Sequence, residues 1–253
     1  MRHFRLVISI VFLAAILLVA LPLPVPLKWY LLGADLLLFL LVVTYGSARI
    51  CSGLFLEVAC RGNPERNEVA ITFDDGPYPV NTPAILDLLA KHGARASFFL
   101  TGRDAEKNGE LVRQTASAGH TIGNHSYSHA FWFPLFSPAR IREEIERTNR
   151  VLEQGTGERV RWFRPPFGVT NPGIFRALQG TGMKVAGWSI RSFDTRNEKP
   201  PVVLGRISGR LRGGEIILLH ETSKHILVIL EELLELLEQR GLKSVSLDEL
   251  FHK

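Results

Sequence analysis

Two regimes of apolar patterning divide the chain. Leu6 to Leu21 is apolar except for Ser9 and follows a basic start, Met1-Arg-His-Phe-Arg5. A second apolar run, Trp29 to Tyr45, is interrupted only by Gly33, Asp35 and Thr44. Each approaches the roughly 17–25 residues that a spanning helix needs. Pro22, Pro24 and Pro26 lie between them and are excluded from a helix interior, so this stretch predicts a tight connection. Trp29, Tyr30 and Tyr45 suit the membrane–water interface. A cleaved signal peptide is the competing reading of the first run. No small-x-small cleavage site precedes Pro22, and a second apolar run follows, so a two-helix anchor over residues 1–45 is preferred. Asp35 lies near the start of its run, where a carboxyl can reach the interface.

Residues 46–66 end in Arg61-Gly-Asn-Pro-Glu-Arg-Asn67 and read as a juxtamembrane linker. Beyond it, over 67–253, short apolar runs alternate with helical spacing. The runs 68–73, 95–101, 120–124, 161–165, 184–189, 214–219 and 243–247 predict strands. The stretches 82–92, 106–118, 137–154, 171–180, 200–211 and 225–240 predict helices. This alternation predicts an α/β catalytic domain of parallel strands with helices outside, as a barrel or a doubly wound sheet.

The composition adds limits. The 253 residues are 46% hydrophobic with a net charge of +5. Residues 1–66 hold six Lys/Arg against three acids, a net of +3, which leaves +2 for the rest. The basicity therefore sits beside the apolar runs and gives no argument for nucleic acid. Cys51 and Cys60 are too few for a structural zinc site. A disulfide would need an oxidising space, and buried free thiols are the preferred reading. The oligomeric state has no signal in the sequence.

Polar chemistry collects where apolar runs end. Asp74 and Asp75 close the first strand run, within Thr72-Phe-Asp-Asp-Gly-Pro77. Side chains alternate along an extended strand, so one acid is expected to face a metal and the other a substrate. His125 and His129 follow the third run, Arg164-Pro-Pro-Phe-Gly168 the fourth, Asp194 the fifth, and His220 closes the sixth. In a barrel, the C-terminal strand ends form one rim. Two imidazoles and the Asp75 carboxylate suffice for a catalytic metal with open positions. Asp74 is then the spare base, which Arg164 would keep ionised. His220 is a proton donor near neutral pH. His92, His120, His225 and His252 read as structural. Such a set describes metal-assisted hydrolysis.

On these motifs, residues 67–253 resemble the polysaccharide deacetylase family, also called NodB-homology domains or carbohydrate esterase family 4. The resemblance implies a distorted (β/α) barrel and a divalent metal, usually zinc. It implies removal of N-acetyl or other N-acyl groups from the amino sugars of a polysaccharide, oligosaccharide or lipid-linked saccharide. Carried over by motif, Asp75, His125 and His129 bind the metal. Asp74 is the base, held by Arg164; His220 is the acid, oriented by Asp194. The Phe167 N–H stabilises the oxyanion and Leu218 lines the acetyl pocket. The fourth motif departs from the family's Asp-x-x-Asp-Trp, because Arg191 replaces the first acid and Thr195 the tryptophan.

Two other classes share part of this residue set. A non-haem iron oxygenase also uses two histidines and a carboxylate, but it leaves Asp74 and His220 without roles. A saccharide-binding protein without catalysis could use Phe131-Trp-Phe133 as a stacking platform, yet the ligand and base set is intact. Basic residues counted near the span ends put both termini, and the catalytic domain, in the cytoplasm of a multi-pass cell-membrane protein.

Overall fold

The computed structural model describes residues 1–252. Ten helices occur among the described residues: α1 Arg2–Ala20, α2 Val25–Ala48, α3 Thr82–Lys91, α4 Gly102–Lys107, α5 Gly109–Ser117, α6 Pro138–Thr156, α7 Pro172–Leu178, α8 Pro200–Ser208, α9 Ile226–Gln239 and α10 Leu247–Leu250. The strands are β1 Glu68–Gly76, β2 Ala96–Leu100, β3 Thr121–Asn124, β4 Trp162–Phe163, β5 Lys184–Val185, β6 Ile190–Arg191, β7 Ile216–His220 and β8 Lys243–Ser244. The order β5-β4-β3-β2-β1-β7-β6, with β8 also on β1, is parallel throughout. The sheet curls with helices outside, giving the expected distorted (β/α) barrel.

The central strand shows why the sequence reads as it does. Val69 to Phe73 of β1 are all fully buried, because a parallel strand is covered on both faces and needs an apolar run rather than alternation. On α9, Ile226, Ile229, Leu230, Leu233, Leu234 and Leu237 face inward at helical spacing. Helix α6 begins at a Ser137 cap with Pro138 in its first turn and stops at Gly157, whose φ of 73° is left-handed.

Several elements differ from expectation. The stretch 106–118 is two helices, α4 and α5, broken at Asn108. The single strand expected over 184–189 shortens to β5, and a separate strand, β6, begins just beyond it at Ile190. Gly187 sits between the two, packed closely against Val58, Cys51 and Cys60. Residues 46–66 are built into the barrel there. Ala59 bridges Ala186, Arg61 bridges Glu215, and Phe55 is fully buried. Cys51 and Cys60 are not free thiols: they form a disulfide, with Cys51 at the surface. Their nine-residue separation says nothing of this. The chain turns back because Leu54, Phe55 and Leu56 bury in an apolar cluster and Ala59 joins the sheet edge.

Helices α1 and α2 are long and apolar enough to cross a membrane by length and composition. They form an antiparallel hairpin whose two free ends meet the barrel. The Phe4 N–H donates to the Leu54 carbonyl at 3.2 Å, and Gly46 packs against Leu54.

Candidate active site

The rim at the C-terminal strand ends collects every predicted site residue except Leu218, which lies within β7. Asp74 and His220 are paired neighbours on β1 and β7. Asp75, however, does not alternate away from Asp74 as an extended chain would require. The register between β1 and β2 slips at this point, and Asp75 has a left-handed φ of 68°. A bulge of this kind re-aims a side chain. Both carboxylates therefore converge on His125 Nε2, with Asp74 Oδ2 at 3.7 Å and Asp75 Oδ1 at 3.6 Å.

The histidines come from the loop after β3. His125 Nδ1 lies 2.8 Å from the Arg164 carbonyl. A carbonyl only accepts, so Nδ1 carries the hydrogen and Nε2 keeps its lone pair, the arrangement a metal ligand needs. His129 Nε2 is 3.4 Å from Asp75 Oδ1. One ligand atom from each of Asp75, His125 and His129 lies within 4.8 Å of the others. Two imidazoles and a carboxylate on half-buried ground fit a divalent cation.

Sequence reasoning missed the residues that hold this loop. Asn124 Oδ1 accepts from the Ser126 N–H at 2.8 Å, and the Ser126 hydroxyl accepts from the His129 N–H at 3.1 Å. Glu144, reaching down from α6, accepts from the N–H groups of Tyr127 and Ser128 at 3.1 and 2.8 Å. Ser126 and His129 have φ of 63° and 46°, strain that these bonds offset. Asn124 lies next to His125 in sequence. Glu144, by contrast, is one of many acids on a helix, and nothing in the pattern marks it.

Arg164 is fully buried. Its Nη1 donates to Asp74 Oδ1 at 2.6 Å and to Thr72 Oγ1 at 2.9 Å, and its Nη2 donates to the Gly187 carbonyl at 2.8 Å. Burial alone would push the Asp74 carboxyl up; Arg164, His125 and His220 outweigh it and hold Asp74 below its ordinary value. The same burial weighs against the Arg164 cation, and Asp74 opposes that.

His220 Nδ1 donates to Asp194 Oδ1 at 2.9 Å, and the His220 N–H donates to Oδ2 at 2.8 Å. Ser192 holds Asp194 Oδ1 from the other side at 2.7 Å. Burial would lower the imidazole; the Asp194 bond and charge, with Asp74 and Asp75 behind, raise it above 6.5. Glu221, also missed, is buried against Gly76 and bonds the Thr82 hydroxyl. Burial pushes its carboxyl up to about 7.

Phe167 sits in a tight turn with φ 62°, and its ring is 4.8 Å from that of His129. Leu218 lies two residues before His220 on β7 and is buried on the same strand face. Arg191 makes no ion pair among the described residues. Its guanidinium lies 5.6 Å from the Trp188 ring and 4.8 Å from that of Phe193. Thr195 is exposed.

A parallel barrel with an Asp/His/His cluster, a spare carboxylate and an opposed Asp–His pair defines a class of hydrolytic sites at strand ends. The comparisons place the chain within that class. The polysaccharide deacetylase family model matches residues 61–186. A peptidoglycan-N-acetylglucosamine deacetylase of Bacillus cereus is 32% identical over 197 residues, covering 76% of this chain and 71% of that protein. The crystal structure of a peptidoglycan N-acetylglucosamine deacetylase in complex with 4-naphthalen-1-yl-N-oxidanyl-benzamide is 31% identical. It superimposes with a TM-score of 0.73 over 77% of this chain and 92% of its own. A CE4 family pseudoenzyme from Bacillus anthracis is 30% identical, with a TM-score of 0.71 over 76% of this chain and 68% of its own. The chain belongs to the polysaccharide deacetylase family.

Proposed function

We propose that this chain is a metal-dependent N-deacetylase of amino-sugar saccharides, with residues 1–45 as its membrane anchor and 67–253 as its catalytic domain. The observation that carries the reading is the convergence of Asp75, His125 and His129 beside an independently held base and acid. Family membership alone does not carry it, since one relative is described as a pseudoenzyme.

A divalent ion held by Asp75, His125 and His129, zinc by preference for two nitrogens and a carboxylate, would polarise the amide carbonyl and acidify water. Asp74, kept ionised by Arg164, takes the proton of the attacking water. The Phe167 N–H faces the developing oxyanion, a donor worth about 3 kcal/mol. His220, whose pKa the Asp194 bond and charge raise against burial, delivers a proton to the departing amine. Asp194 fixes that ring. An amine leaves poorly without a proton, so acid and base must be separate groups. Leu218 lines the acyl pocket.

The face of the membrane also belongs to this reading. The count of basic residues, Arg2, Arg5, Arg49, Arg61 and Arg66 against Lys28, favours the cytoplasm. The Cys51–Cys60 disulfide favours an oxidising compartment. We therefore read the barrel as lying outside the cytoplasm, with peptidoglycan-type amino sugars in reach.

The test is mass spectrometry of N-acetylglucosamine oligomers incubated with zinc-loaded protein. Loss of an acyl group is expected from the wild type, and neither bound metal nor turnover from His125→Ala. Turnover unaffected by a chelator, or full metal content in His125→Ala, would overturn the assignment.

A further inference from the structure

One segment beside the site is poorly matched to water. Between the histidine loop and α6, Phe131, Trp132 and Leu135 are 72%, 62% and 75% exposed. Their neighbours Phe133 and Phe136 turn inward, into the apolar cluster against which Phe4 and Val7 of α1 and Val42 and Val43 of α2 pack. The loop between β4 and α7 is tied to the end of α2. The Thr170 N–H donates to the Ser47 carbonyl at 3.1 Å, and its hydroxyl donates to that of Gly46 at 3.3 Å. Asn171 in turn donates to the Pro134 carbonyl at 2.6 Å. The exposed trio thus leaves the barrel at the level where the two apolar helices do. On its other side, the Phe131 ring meets Phe167 at 6.1 Å, and Phe167 meets His129.

A stacking platform for a sugar needs a flat aromatic face. The Phe131 and Trp132 rings stand at 82° to one another, and the third member is aliphatic. Aromatic and aliphatic tips beside the ends of membrane helices suit the interfacial layer of a bilayer instead.

We propose that Phe131, Trp132 and Leu135 insert into the bilayer and hold the active-site mouth against it, so that the substrate is an amino sugar tethered to the membrane by a lipid. This rests on reading α1 and α2 as spans and the site as a deacetylase. A mouth held at the lipid surface meets tethered saccharides at high effective concentration, whereas soluble chains must diffuse into the same gap.

The test uses the full chain in vesicles of phosphatidylethanolamine and phosphatidylglycerol. A bimane label at Leu135→Cys should be quenched by nitroxide-labelled lipid. The same label at Ser117→Cys, at the opposite rim of the barrel, should not. The triple variant Phe131→Ser/Trp132→Ser/Leu135→Ser should lose at least about tenfold in rate on a lipid-anchored N-acetylglucosamine oligomer. Its rate on the same oligomer free in solution should be unchanged. Equal quenching at the two labels overturns the proposal, as does an equal loss on both substrates. Hydrolysis of the soluble oligomer without quenching would leave the deacetylase reading standing and remove the docking alone. No hydrolysis of either oligomer by the wild type would remove the substrate assignment together with the deacetylase reading. Protein that carbonate washes from the vesicles would overturn the spans and the proposal with them.

Discussion

Replacing Arg164 with Met tests the electrostatic design of the site most directly. The guanidinium is fully buried and bonded to Asp74, Thr72 and Gly187, with the Phe99 ring 4.0 Å from its central carbon. Methionine keeps the apolar contact and removes the charge. Asp74 is then left 4% exposed without its nearest cation, and the Gly187 carbonyl loses its Nη2 donor. Breaking a buried pair from one side costs about 3–5 kcal/mol, roughly 150- to 5,000-fold in the folding equilibrium. Burial, opposed then by His125 and His220 alone, raises the Asp74 carboxyl relative to wild type, so the limb of the rate that reports the base should move to higher pH. Asp74→Asn/Arg164→Met removes both charges and should be less destabilised than the two single changes summed, with a coupling of about 1–3 kcal/mol. Urea unfolding of the detergent-solubilised, metal-free proteins, followed by tryptophan fluorescence, measures the stabilities; rate against pH measures the base. Additivity within about 0.5 kcal/mol, or a pH profile for Arg164→Met parallel to wild type, would refute the reasoning.

Two further outcomes follow from the same geometry. Asp194→Asn removes the charge that raises His220 and turns one of its two accepting oxygens into a donor, so burial weighs more heavily against the imidazolium. The protonated acid should then be lost at lower pH, and the basic limb of kcat should move down; an unmoved limb would show that His220 does not supply the leaving-group proton. Cys51→Ser/Cys60→Ser opens a short loop and should lower stability by about 2–3 kcal/mol. A wild type whose unfolding midpoint ignores reductant would show that the disulfide is not formed in solution.

Much of this protein was legible before any coordinates. Apolar runs alternating with helical spacing determined parallel strands with helices outside, because a parallel strand must be apolar on both faces and its covering helix on one; the choice of a barrel over a doubly wound sheet rested on the family resemblance. The ends of those runs named Asp74, Asp75, His125, Arg164, Asp194 and His220, since barrel chemistry collects where strands stop. Tertiary structure decided how these groups face each other. The bulge and left-handed backbone at Asp75 bring two adjacent carboxylates to one side, against the alternation that strand geometry predicts. Asn124 and Ser126 hold the histidine loop through bonds two and three residues along the chain, but Glu144 comes from a distant helix, and no local pattern encodes a partner that arrives from elsewhere. The Cys51–Cys60 bond likewise exists because residues 46–66 fold back onto the sheet edge. Local sequence determines which elements form and where polar groups interrupt them; the approach of side chains from separate elements is settled only when the barrel closes and their backbones are fixed in space.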